Sequence, residues 1–189
     1  PDLFLRTILW GFFFSKYSLR AHGLHNLKSH GPVLIVHEGN SLEDTYLILS
    51  AIDRTPRNLF NAKLDAENIP SFINRLAKKH SLAWLNSNEC TPEELNLIIA
   101  RIRKNIGKQH AISLSLNGPW IPGILDLINE LKIPVVPVFI SRAQNPTTKA
   151  SNIVYVNFGQ EINSTVDLES LAIACREIKA PVNGETPAV

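Results

Sequence analysis

Gly31-Pro32-Val33-Leu34-Ile35-Val36-His37, followed closely by Ser41-Leu42-Glu43-Asp44-Thr45-Tyr46-Leu47-Ile48-Leu49, decides the fold of this 189-residue chain. The run Val33–His37 is apolar without alternation and rich in β-branched residues, so both of its faces need cover, as in a buried parallel strand. Past a short turn, Ser41 can cap a helix N-terminus. Glu43 and Asp44 then put negative charge in the first turn, and Tyr46 to Leu49 supply a face to bury. Strand, tight turn and helix in that order make the repeating unit of an α/β domain.

The rest of the chain continues the pattern. Tyr17 to His22 alternates and meets Gly23, which predicts a short strand and turn. Further strands are predicted at Asn58–Ala62, Leu82–Leu85, Ala111–Leu116, Ile133–Ile140 and Ile153–Gly159. Pro134 and Pro137 within the fourth of these predict an edge or a bulge, because proline cannot donate to a ladder. Helices are predicted at Ser71–Lys79, from Thr91-Pro92-Glu93-Glu94 to Gly107, at about Ile124–Leu131 and at Leu168–Ile178. The expected architecture is a mostly parallel central sheet flanked by helices, with an apolar N-terminal helix. Residues 1–16 form that helix, 17–180 the α/β domain and 181–189 a loose tail.

Composition narrows the function. Hydrophobic residues are 44% of the chain and charged residues 19%, a globular balance that excludes intrinsic disorder. The formal charge of +2 gives no bulk field for nucleic acid, so no nucleic-acid partner is expected. Cys90 and Cys175 lie far apart with no metal-ligand spacing, which predicts neither a disulfide framework nor a metal site. No apolar run reaches bilayer-spanning length. The segment Leu3–Phe14 holds Trp10 and four phenylalanines. It reads either as a helix packed on the domain or as an interfacial membrane helix, with Lys16 and Arg20 at the headgroups. The chain opens at Pro1 and has no methionine, so it is expected to be a processed chain or a piece of a larger polypeptide.

Taken in order, Tyr17–His22, Gly23-Leu24-His25-Asn26-Leu27, Gly31–Val36 and Ser41–Asp44 resemble the opening of the glycerolipid (1-acylglycerol-3-phosphate or lysophospholipid) acyltransferase family. Ile133–Val138 and Val154–Gly159 resemble its closing strands. The resemblance implies a family chemistry based on a His-x4-Asp motif, in which the histidine deprotonates an acceptor hydroxyl and the aspartate orients the imidazole. With Asp44 aligned to the motif aspartate, Gly39 stands at the histidine position. The nearest imidazole is His37, two residues earlier on the same strand face and about 6–7 Å further back at ~3.3 Å per residue. The family's Glu-Gly-Thr-Arg-like block is replaced by Asn117-Gly118-Pro119-Trp120, and Leu85-Asn86-Ser87-Asn88-Glu89 lacks a second phosphate-binding arginine. The cations suited to bidentate phosphate contact are gone from both places.

Each candidate has a plainer meaning. Asp44 is either a surviving orienting carboxylate or one half of a capping box with Ser41. His37 is a shifted base or a half-buried histidine at a strand end. Asn117-Gly118 is a remnant anion nest that would contact substrate, or a simple turn. Arg101, Arg103, Lys104 and Lys108 face anionic headgroups or only solvent. Cys90 precedes a helix N-terminus without an adjacent histidine. Ser113 and Ser115 would serve a hydrolase, but no Gly-x-Ser-x-Gly elbow surrounds them.

These readings converge on an acyltransferase-like domain that has lost its base and its phosphate-binding arginines. It is expected to act as a non-catalytic lipid-binding or structural subunit at the cytoplasmic face of a membrane, with no cofactor. Membrane lipid and a membrane-protein complex, or a fusion partner N-terminal to Pro1, are the expected partners. The alternative is an active lysophospholipid acyltransferase that uses His37 and Asp44 with acyl-CoA or acyl carrier protein.

Overall fold

The structure, a computed structural model, describes residues 2–28, 30–39, 41–52, 57–61, 75, 81–85, 91–117, 123–144 and 152–178. Helix α1 (Asp2–Lys16) leads directly into β1 (Tyr17–His22), then β2 (Val33–His37) and α2 (Leu42–Ala51). Strands β3 (Arg57–Asn61) and β4 (Ser81–Leu85) follow, then α3 (Pro92–Gly107), β5 (Ala111–Ser115) and α4 (Ile124–Glu130). The chain closes with β6 (Val135–Gln144), β7 (Asn152–Phe158) and α5 (Leu168–Glu177). The helix predicted at Ser71–Lys79 lies outside the described residues apart from Arg75. So do Asn86 to Cys90 and Gly118 to Trp120.

The strands form one seven-stranded sheet in the order β1-β7-β6-β2-β5-β3-β4. Every neighbouring pair is parallel except β6 with β7. Strand β2 lies between β5 and β6, and all five of its residues are buried. Its alternation sorts the core into two layers. Val33 and Ile35 pack with Phe13, Tyr46, Leu47, Val136 and Val154 on the side of α1 and α2. Leu34 and Val36 pack with Ile98, Ile102, Ile124, Leu171 and Cys175 on the side of α3, α4 and α5. An apolar run without alternation is therefore what a strand with helices on both faces requires.

The helix starts follow their sequence signals. Ser41, Thr91 and Asp167 each cap a helix through a full capping box, with Asp44, Glu94 and Ser170 as the reciprocal partners. Gly23 has φ +72°, and a side chain there would run into the Phe158 carbonyl oxygen, so the turn after β1 needs glycine.

One expectation is corrected. Strand β6 is neither an edge nor bulged, but an interior strand between β2 and β7. Pro137 is tolerated because its carbonyl accepts from Gly159 N–H at 2.8 Å. Its nitrogen points the same way, toward the place where the β7 ladder has already ended at Phe158.

Candidate functional site

The C-terminal end of β2 and the N-terminus of α2 meet at the centre of the sheet, and the sequence-predicted pair is found there. His37 is 1% exposed. Its Nδ1 accepts from the Gly39 backbone N–H at 3.1 Å, which leaves the proton of the neutral ring on Nε2. Burial drives its pKa down from 6.5 to about 4, against the opposite pull of the Asp44 carboxylate. His37 is therefore neutral at pH 7, with its acceptor nitrogen occupied and its other nitrogen protonated. That arrangement offers no lone pair to an incoming hydroxyl.

The His37 side chain reaches forward from the strand to the backbone of residue 39. A Cβ added at Gly39 would lie 2.7 Å from His37 Nδ1 and 2.6 Å from Asp44 Cβ. The imidazole thus leans forward along the strand until it lies against residue 39. Glycine at 39 and histidine at 37 are one packing solution, because the ring fills the volume that any side chain at 39 would need.

Asp44 takes the capping-box role expected from the sequence and adds a contact that the sequence did not announce. As the N3 residue of α2 it accepts from Ser41 N–H at 3.3 Å and donates its own N–H to Ser41 Oγ at 3.2 Å. Its other carboxylate oxygen is ion-paired with Arg142 of β6. The neighbouring Glu43 accepts from Lys16 Nζ at 2.7 Å and from the Tyr17 hydroxyl at 2.9 Å, and lies 3.8 Å from Arg142. These contacts tie α1, β1, α2 and β6 together around two carboxylates. Arg142 was missed because it stands 98 residues from Asp44 in no motif. The available signal was its period-two spacing from Val138 and Ile140, which puts it on the α2 face of a strand otherwise apolar there.

The loop after β2 is fastened from β5. The Ser115 hydroxyl donates to the Gly39 carbonyl at 2.7 Å, Leu116 N–H donates to the His37 carbonyl at 2.8 Å, and the Asn117 side chain donates to the Glu38 carbonyl. Asn117 N–H in turn donates to Ser115 Oγ at 3.3 Å. Asn117 thus staples this loop, while Gly118 lies outside the described residues. Ser115 is committed to holding Gly39, and Ser113 is buried beside Ile35. Arg101, Arg103, Lys104 and Lys108 are exposed on and after α3, with Arg103 3.5 Å from Glu130.

Above Gly39 lies a cleft of about 520 Å³, lined by Glu38, Gly39, Ser41, Glu43, Asp44, Val138, Phe139, Ile140 and Arg142. His37 lies beneath this lining. Among the described residues no group of three His, Cys, Asp or Glu side chains is placed to hold a metal ion. No described helix is long and apolar enough to cross a membrane.

The chain is thus a seven-stranded α/β domain with a carboxylate-flanked cleft at the end of its central strand, β2. A solved structure, the 1-acyl-sn-glycerophosphate (LPA) acyltransferase PlsC from Thermotoga maritima, is similar over 94% of this chain and 78% of its own, with a TM-score of 0.60 and 13% sequence identity. At that identity the likeness is one of fold. No protein-family model matches the chain, and no curated protein matches it.

Proposed function

We propose that this chain is an acyltransferase-like domain in which the catalytic pair has become a structural clasp, leaving a lipid-binding or structural module at the cytoplasmic face of a membrane. The observation that carries this reading is the state of the pair. His37 spends its acceptor nitrogen on Gly39 N–H, and Asp44 is held by Ser41 N–H and Arg142. The test is thiol release from a long-chain acyl-CoA, with and without a lysophospholipid acceptor. The expected result is no acceptor-dependent turnover above the blank.

A second reading, an active acyltransferase fed by acyl-CoA or acyl carrier protein, is favoured by one fact: His37 and Asp44 both reach the space beside Gly39. Acceptor-dependent turnover that disappears in both His37→Ala and Asp44→Ala would establish it and remove the first.

Attachment to a membrane is supported by α1. Phe13 of this helix is fully buried against the domain, whereas Trp10 and Phe14 are 49% and 58% exposed and stack at 4.8 Å. One face of the helix is thus packed, and an aromatic ridge is left on the other. In sedimentation with vesicles of mixed phospholipid, Trp10→Ser with Phe14→Ser should weaken binding at least about tenfold, given ~1.5–3 kcal/mol for burying each large apolar side chain. Unchanged pelleting would remove the membrane from this reading.

A further inference from the structure

The charges around the cleft are specific enough to name the chemistry of its ligand. Among the described residues, three carboxylates, Glu38, Glu43 and Asp44, line it with one guanidinium, Arg142. The cations that answer Glu43 and Glu38 from outside the lining are Lys16 at 2.7 Å and Arg176 at 3.0 Å. Arg142 is shared between Asp44 and Glu43, yet its side chain remains 42% exposed. Glu38 stands at the rim with its side chain 26% exposed.

A phosphate monoester carries nearly two negative charges. Here it would sit among three carboxylates with a single guanidinium already engaged by two of them. A phosphodiester carries one charge, which the outward edge of one guanidinium can meet. If an ammonium follows a few bonds later, it reaches the carboxylates that repel the monoester. The apolar Val138 and Ile140 beside Arg142 suit the intervening methylenes. A cleft of about 520 Å³ is of the size that small ligands occupy.

We propose that this cleft binds a zwitterionic phosphodiester headgroup, with the phosphodiester on Arg142 and the ammonium on Glu38 or Glu43, in preference to a phosphate monoester. This rests on the lipid-binding reading of the same cleft, and it names the headgroup class.

The test uses the whole chain and two kinds of probe. Soluble glycerophosphoethanolamine and glycerol 3-phosphate are titrated by NMR, followed by lysophosphatidylethanolamine and lysophosphatidate of equal chain length below their micellar concentrations. The zwitterionic member of a pair should bind at least about tenfold tighter, a difference within reach of one added charge contact. A preference seen with the soluble pair assigns the site to the headgroup alone, and one seen only with the lyso pair assigns it to a lipid. Glu38→Gln, at a partly exposed rim position, should narrow the preference by weakening the zwitterionic probe and strengthening the monoester, which loses one repelling carboxylate. Equal or tighter binding of the monoester, or a preference that survives both Glu38→Gln and Glu43→Gln, overturns the proposal while leaving a lipid-binding cleft. Failure of all four probes to bind overturns the lipid-binding reading as well.

Discussion

Gly39→Ala destabilises the domain by about 2–3 kcal/mol in urea unfolding, the upper range for forcing an extra methyl into a filled site. The added carbon would meet Asp44 Cβ at 2.6 Å and His37 Nδ1 at 2.7 Å, both closer than van der Waals contact allows. Neither neighbour moves freely. Asp44 is fastened by Ser41 and Arg142, and His37 lies fully within the core below. In the His37→Ala background the ring is absent, and the same Gly39→Ala substitution should cost at least about 1 kcal/mol less, a coupling typical of residues in direct contact. Part of the cost persists because the Asp44 contact persists. Four unfolding curves measure the cycle, and strict additivity would show that the imidazole does not fill the space beside residue 39.

Acid should destabilise the protein well before its carboxylates are titrated. The imidazole of His37 is charged only below about 4 in the folded state, against 6.5 when exposed, because burial penalises the cation. As pH falls through 6.5 the unfolded chain takes up this proton first, so unfolding gains free energy that the folded state cannot match until about pH 4. The stability is complete above 6.5, declines across that window and levels off below it. Its full span is about 3 kcal/mol at 1.36 kcal/mol per pH unit. Urea unfolding of wild type and His37→Gln at half-unit intervals between pH 7.5 and 4 should show the wild-type curve falling more steeply. Parallel curves would mean that His37 is not buried as a neutral ring.

Both results bear on what the end of β2 does. A neutral, capped imidazole wedged under a glycine is a good packing element and a poor base. A carboxylate that caps α2 and pairs with β6 holds the sheet to its helix. The same contacts of His37 and Asp44 fasten the floor of the cleft.

Much of the fold was legible because its signals are local. A continuous β-branched run at Val33–His37, capping residues at Ser41, Thr91 and Asp167, and a proline at the first turn of α3 act within a few residues of themselves. The candidate site was legible only in part. His37 and Asp44 stood out by type and position, but their relation depended on where an imidazole points, which counting residues along a strand does not give. Arg142 carried only its period-two spacing from Val138 and Ile140, since it joins the site by register between strands and not through a motif in the chain. Pro137 misled for the same reason: whether a strand is central or at an edge depends on which distant strands flank it.

The sequence by itself determined the α/β class, the strand, turn and helix at the centre, and the absence of a histidine at position 39. These follow from periodicity, capping chemistry and residue identity, all of which act at short range. Only the tertiary structure decided that His37 fills the space beside Gly39, that Arg142 takes Asp44, and that three carboxylates and one guanidinium share a cleft. Those facts require β2, α2 and β6 to be brought together, and that comes from burying the two faces of one sheet, to which the whole chain contributes.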